Sequence, residues 1–289
     1  MSWELENRRN RGVIRPEGTG WRTGFLTSEG SGAYEAMVKS PRGSALILDC
    51  DGTLWASGVK WPNWPEIAPR LRGTLEQAKQ QFGTVALLTG RSVEQLRRLG
   101  LVIPGITILG QFGAECLDRD GELLELVAVP KERSRVVNEL RGKLEYFGIP
   151  EEQIEMKSHA VAVHYAGDTD PEKVLELHRW LKELAGQAEM AFLPGDRVVE
   201  LGPFGVDKGR SLRWFLDRET PDAALFAGDS GPDASAFKVL LDRRRDRGMN
   251  IVNVCTSDYG PLLNEADVAV DGWEGMLDLL TEMCILASR

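Results

Sequence analysis

Cysteine is scarce in this chain. There are four in 289 residues, at Cys50, Cys116, Cys255 and Cys284, and no two form a CxxC pair. That scatter argues against a zinc site and against a disulfide framework, so a reducing, cytoplasmic compartment is expected. Positive charge is short as well. Lys and Arg number 35 against 44 Asp and Glu, a formal charge of −9 with pI ≈ 5.1. Binding nucleic acid by phosphate neutralisation is therefore not expected. No apolar run reaches the roughly 18 residues of a membrane span. The opening MSWELENRRNRG is charged, with no apolar stretch behind it, which argues against secretion. No internal repeat is visible. What is present is ordinary for a globular chain: 42% hydrophobic and 27% charged residues, ample for a core. The length fits one large domain or two modest ones.

Residues 1–40 are rich in Gly, Arg and Glu without sustained periodicity. They read as an extension, either anchored through Trp3, Trp21 and Phe25 or held loosely. From residue 44 short apolar runs alternate with amphipathic stretches. Strands are expected at 44–49 (SALILD), 84–88 (TVALL) and 106–109, with helices over 67–82 and 92–99. The same grammar returns with strands at 223–227 and 250–255 and helices over 233–247 and 273–287. Runs that are apolar throughout suit parallel strands covered on both faces, so the fold class is a doubly wound α/β core. The middle of the chain differs. Strands at 123–129, 154–157, 160–165, 190–193 and 198–201 surround helices over 131–147 and 171–187, which reads as an inserted α+β module. The expected division is an extension at 1–40, a core at 41–116 and 204–289, and an insert at 117–203.

Four segments carry chemistry, each after a strand or opening a helix. Asp49-Cys50-Asp51-Gly52-Thr53-Leu54 follows the first strand, where ligands of open α/β sheets bind. Carboxylates two apart on an extended chain point the same way, and two such charges need a cation or a proton between them. Hard oxygens suit Mg²⁺. Cys50 between them reads as structural. Thr89-Gly90-Arg91 ends the second strand, where a hydroxyl can meet a phosphate oxygen or cap a helix. Lys208, in Asp207-Lys208-Gly209, can neutralise a phosphoryl group. In Gly228-Asp229-Ser230-Gly231-Pro232-Asp233, a metal-ligand role competes with N-capping, and Asp233 can do both.

This order (Asp-x-Asp, Thr, Lys, Asp…Asp) resembles the haloacid dehalogenase superfamily, and Asp51 points to its phosphatases and phosphomutases. LLTGRS, GQFGAE, EMKSHAVAVHY, VVELGPFGVDKGRSL, AGDSGPDASAFKVL and ADVAVDGWEGMLDLL are similar to trehalose-6-phosphate phosphatase blocks over roughly residues 44–282. The resemblance implies a haloacid dehalogenase-like core with an inserted type IIB cap. It implies Asp49 as nucleophile and Asp51 as general acid and base. Mg²⁺ would be held by Asp49, the Asp51 carbonyl and Asp229 and oriented by Asp233. Thr89, Gly90 and Lys208 would hold the phosphoryl group, and Glu155, Lys157 and Glu200 in the cap would meet sugar hydroxyls. Each of those three cap residues can equally be a solvated or salt-bridged strand residue.

Several positions depart from the family. Ser230 stands where an acid is common, Gly202 and Ala166 stand where arginines are common, and the loop LWASGVKWPNWP is unusual. Trp55, Trp61 and Trp64 lie near the expected cleft. His164 on an apolar strand reads as a core histidine, and Arg243-Arg244-Arg245 as a solvated helix face. The implied activity is Mg²⁺-dependent hydrolysis of trehalose 6-phosphate by a cytoplasmic enzyme, favoured as a monomer, with a small sugar phosphate and neither nucleic acid nor membrane as partner. The alternatives are a phosphatase for a pseudo-disaccharide phosphate such as validoxylamine A 7'-phosphate, a phosphomutase, or a catalytically silent regulatory domain.

Overall fold

Runs such as Ala45-Leu46-Ile47-Leu48 have no polar face to offer water, so they form strands buried on both sides. The structure, a computed structural model, describes residues 24–57, 64–195 and 197–289. In chain order the strands are β1 (Ser44–Leu48), β2 (Thr84–Leu88), β3 (Thr107–Gly110), β4 (Glu115–Leu117), β5 (Leu123–Glu125), β6 (Ile154–Met156), β7 (Val161–His164), β8 (Ala191–Gly195), β9 (Val198–Gly202), β10 (Ala223–Gly228), β11 (Asn250–Cys255) and β12 (Val268–Ala269). Residues up to Leu124 together with Asp207–Arg289 form one compact unit, and Glu125–Val206 forms another. Both boundaries lie further along the chain than the 117–203 read from the sequence.

The first unit is built on a sheet ordered β12-β11-β10-β1-β2-β3-β4-β5. Pairing is parallel from β12 to β3 and antiparallel between β3 and β4. Every residue of β1 and β10 is buried. Because β1 lies between β10 and β2, the residues after these three strands emerge at one sheet edge, at and beside a topological switch point. That edge receives Asp49, Thr89 and Asp229.

The second unit has an antiparallel sheet ordered β6-β7-β9-β8. Val161, Val163, Val199 and Leu201 form its inner face, packed with Val136, Leu140, Leu177 and Leu181 of the helices Arg133–Arg141 and Pro171–Gln187. The register Glu155↔Ala162↔Glu200 puts those three residues on the opposite face.

The expected strands at 84–88 and 250–255 and the helix over 171–187 are reproduced to the residue. Others differ for physical reasons. The helix expected over 131–147 breaks at Gly142, the C-cap of Arg133–Arg141, and a separate turn covers Leu144–Phe147; glycine inside a helix costs about 1 kcal/mol. The strand expected over 123–129 stops at Glu125, on a segment with little burial. Residues 28–39 form a helix where the sequence suggests only an extension. Thr27 caps it through Gly30 N–H (3.0 Å), and Ala33, Tyr34 and Met37 are buried. Its inward stripe rests on small residues, so its amphipathic signal is weak. Phe25 does anchor this end: it is buried and bridges to Val268. Trp3, Trp21 and Trp61 lie outside the described residues. Among the described residues no helix is long and apolar enough to cross a membrane.

Candidate active site

Asp49 is the first residue after β1, and it is buried. Its amide donates to Ala227 O (3.0 Å), which extends the pairing with β10 and fixes the backbone at the sheet edge. Lys208 Nζ donates to Asp49 Oδ1 (2.5 Å) and to Asp233 Oδ1 (2.6 Å), and Thr53 Oγ1 donates to Asp49 Oδ2 (3.1 Å). Lys208 reaches this position because Asp207 caps its helix, Lys208–Glu219, through Arg210 N–H (2.9 Å), which makes Lys208 the first helical residue. Burial pulls the Lys208 ammonium down, but Asp233 and Asp49 outweigh it and hold the pKa above the usual lysine value. Burial pushes Asp49 up, and repulsion from Asp233 and Asp229 adds to it against the pull of Lys208.

Asp229 is the first residue after β10 and completes the cluster. Asp49, Asp229 and Asp233 each offer an oxygen, all within 4.8 Å of one another. Three carboxylates around one ammonium leave an excess of negative charge in a low-dielectric place, and a hard divalent cation fits that donor set. Asp229 is pushed up to about 6 by burial and by repulsion from Asp233. The turn depends on Gly52, which has φ +81; a Cβ there would lie 2.1 Å from Asp229 Oδ2. Asp233 stands at the N-cap of the helix that follows but makes no side-chain cap bond to it; instead it forms a capping box with Ser230 in the turn before. Its Oδ2 accepts from the amides of Asp229 (3.1 Å) and Ser230 (3.0 Å), so it holds the turn behind Asp229.

Asp51 does not point with Asp49, as alternation along a strand implies. β1 ends at Leu48, and Thr53 N–H and Leu54 N–H both return to Cys50 O, so the motif is a turn. Asp51 instead faces Arg91 and Trp55. Arg91 Nε donates to Oδ2 (2.7 Å), an Arg91 terminal nitrogen to Oδ1 (2.6 Å), and Trp55 Nε1 to Oδ1 (2.9 Å). Its side chain is therefore not among the clustered carboxylates. Cys50 is buried, and burial pushes its thiol up, as a structural residue requires.

Thr89 and Gly90 sit at the end of β2. Thr89 is buried and its hydroxyl accepts from Arg91 N–H (3.1 Å). The capping of the next helix falls to Ser92, paired with Gln95. Gly90 lies under the Phe112 ring, which a Cβ would approach to 2.7 Å.

In the second unit, Lys157 and Glu200 form a largely buried ion pair, and Glu155 pairs with His164 (3.1 Å). His164 is exposed and not a core histidine. The arginine run also departs from expectation. Arg243 is buried against Asp217 (2.6 Å) and Arg244 bonds Asp267 (2.8 Å), which leaves only Arg245 as the solvated member.

Two site residues are not readable as such in the sequence: Trp55, which stands out only for its place near the cleft, and Arg91, which appears only as part of TGR. A Trp four residues after Asp51 and an Arg 40 after it carry no common spacing signal; the turn and the β1–β2 pairing bring them together.

A profile of the trehalose-phosphatase family matches residues 47–272. The chain is 32% identical over 202 residues to a probable trehalose-phosphate phosphatase of Sinorhizobium fredii, covering 68% of this chain and 73% of that one. It is 29% identical over 215 residues to the trehalose-6-phosphate phosphatase of Escherichia coli, covering 71% and 78%. In fold it is similar to the C-terminal domain of the Candida albicans trehalose-6-phosphate phosphatase, with a TM-score of 0.72 at 17% identity over 92% of this chain and 99% of that one.

Proposed function

This chain belongs to the trehalose-phosphatase family, and from that premise we infer that it hydrolyses trehalose 6-phosphate to trehalose and phosphate through Asp49. The observation that carries the reading is a buried Asp49, held by Lys208 at a sheet edge, with a second carboxylate, Asp51, held apart from it by Arg91 and Trp55. In the first step an Asp49 oxygen bonds to phosphorus, the bond from phosphorus to the sugar oxygen breaks, and Asp51 gives that oxygen a proton. In the second step Asp51 takes a proton from water. The water oxygen bonds to phosphorus and the Asp49–phosphorus bond breaks. Thr89, Gly90 and Lys208 hold the phosphoryl oxygens. Asp49, the Asp51 carbonyl and Asp229 would hold Mg²⁺, which would supply positive charge to offset repulsion between nucleophile and substrate. Asp233 orients Asp229.

We further propose that the Glu125–Val206 unit serves as a cap, with Glu155, Lys157 and Glu200 meeting the sugar hydroxyls. Glu155 and Glu200 share the sheet face opposite the helices, with Lys157 paired to Glu200, which supports this. Four buried free thiols support a reducing compartment such as the cytoplasm.

Two measurements test the reading. Phosphate release is expected from trehalose 6-phosphate with kcat/KM at least roughly tenfold above that for glucose 6-phosphate, the worth of one charge-assisted bond to the second ring. Equal turnover of the two refutes the disaccharide assignment. The second measurement concerns the cation. A carboxyl raised to about 6 in the fold favours folding below that pH, and it loses this advantage as pH rises through 6. The metal-free protein therefore weakens as Asp229 ionises, and Mg²⁺ must compete with its proton below that point. The Mg²⁺-induced rise in Tm is expected to be large at pH 7.5 and much smaller at pH 5, since binding weakens up to roughly tenfold per pH unit below 6. A Tm rise independent of pH contradicts the assignment of Asp229 as a ligand.

A further inference from the structure

Trp55 does something at this site that the phosphatase chemistry does not by itself demand. Its ring is fully buried, and a buried indole needs a partner for its N–H. The partner here is the carboxylate of Asp51 (2.9 Å). Residue 55 also closes the turn from its backbone: Gly52 N–H donates to Trp55 O (2.7 Å), and Asp51 and Trp55 form a β-bridge. The indole face meets Arg91, whose guanidinium carbon lies 5.6 Å from a ring centroid. Trp55 thus touches both Asp51 and the arginine that grips Asp51.

The bonds are distributed unevenly. Asp51 Oδ1 accepts from both Trp55 and Arg91, whereas Oδ2 accepts from Arg91 Nε (2.7 Å). A carboxylate oxygen has two in-plane acceptor positions. Trp55 occupies the second one on Oδ1, while the second one on Oδ2 meets no partner among the described residues. We propose that Trp55 is a positioning residue for Asp51: together with Arg91 it locks the carboxyl rotamer and makes Oδ2 the oxygen that carries the proton to and from the reacting oxygens. This rests on the reading of Asp51 as general acid and base. Small errors in the placement of such a group are expensive, because proton transfer needs hydrogen-bond reach at the moment the bond breaks.

The test uses leaving groups. A sugar alkoxide needs the proton and a 4-nitrophenolate does not. Trp55→Phe keeps a large apolar ring and removes the N–H. In single-turnover measurements it is expected to slow phosphoenzyme formation from trehalose 6-phosphate roughly tenfold, and formation from 4-nitrophenyl phosphate less than about twofold, while the later water attack slows alike for both. Trp55→His, which keeps a ring N–H, should recover part of the loss. In an Asp51→Asn background Trp55→Phe should cost nothing further, because its effect runs through that carboxylate. An equal loss for both substrates, or the same loss in the Asp51→Asn background, overturns the proposal. If Asp51→Asn alone slows phosphoenzyme formation from both substrates equally, the general-acid reading fails instead. Should Trp55→Phe not fold, the indole N–H resonance of Trp55 tests the contact without touching the tryptophan. It is expected to move upfield when Asp51→Asn replaces a charged acceptor, and an unmoved signal overturns the contact.

Discussion

Asp49→Asn is expected to abolish phosphate release from trehalose 6-phosphate, with a loss of roughly 10,000-fold or more in kcat. The amide is nearly isosteric with the carboxylate and can keep bonds to Lys208 and Thr53, but it cannot displace the sugar oxygen from phosphorus. A rapid-quench experiment with labelled substrate should trap phosphoprotein from wild type and none from the variant. Loss of folding would not explain the result. The substitution removes one of three clustered carboxylates, two of which bond Lys208, so the metal-free variant should be at least as stable as wild type near pH 7.5. A phosphoprotein that still forms in Asp49→Asn would place the nucleophile elsewhere.

Lys208→Met should be the most damaging single change to stability and also cripple turnover. The ammonium is buried and bridges Asp49 and Asp233 at 2.5 and 2.6 Å. Removing it leaves buried carboxylates without a counter-charge, and breaking a buried pair costs about 3–5 kcal/mol. The sign of the pH dependence follows from the same geometry. Without Lys208 the acids relieve their repulsion by binding protons, so the deficit relative to wild type should be large at pH 7.5 and shrink toward pH 5. Denaturant midpoints at the two pH values, measured without divalent cation, give the comparison. A deficit below about 1 kcal/mol at pH 7.5 would mean that the bridge contributes little to the fold. Turnover should fall because both the counter-charge on Asp49 and the cation facing the phosphoryl oxygens are gone.

Much of the core is legible because its signals are local. The uninterrupted apolar run of β1 followed at once by Asp49, the Thr89 that ends β2, and the Asp229 that follows β10 mark strand ends in one-dimensional text. A strand end is where a sheet offers its ligands, so motif and context agree. The helix over residues 28–39 escapes such a reading because its buried stripe is Gly30, Ala33, Tyr34 and Met37, two of them too small to raise a periodic signal. Gly30 packs so near Asp267 that a Cβ would fall 2.3 Å from it, a reason for glycine that no neighbour in sequence reveals. His164 misleads because period two puts it on the strand face away from the core, whereas its apolar neighbours suggest burial.

The identity and chain order of the candidate groups are written in one dimension: two acids after one strand, a threonine after the next, a lysine opening a helix, two further acids after a third strand. Hydrophobic runs and turn residues are local properties, and they suffice to place those groups at one edge of a parallel sheet. How the charges divide at that edge is a matter of contacts distant in sequence. Lys208 lies 159 residues from Asp49 and 25 from Asp233, and Arg91 lies 40 residues from Asp51. Both cations choose partners across strands, because burial makes an unpaired charge too costly to leave. The turn at Gly52 then sends Asp51 toward Arg91 and Trp55 while Asp49 stays with Lys208. Two carboxylates two residues apart thereby enter different electrostatic environments, as the roles proposed for them, nucleophile and proton carrier, require.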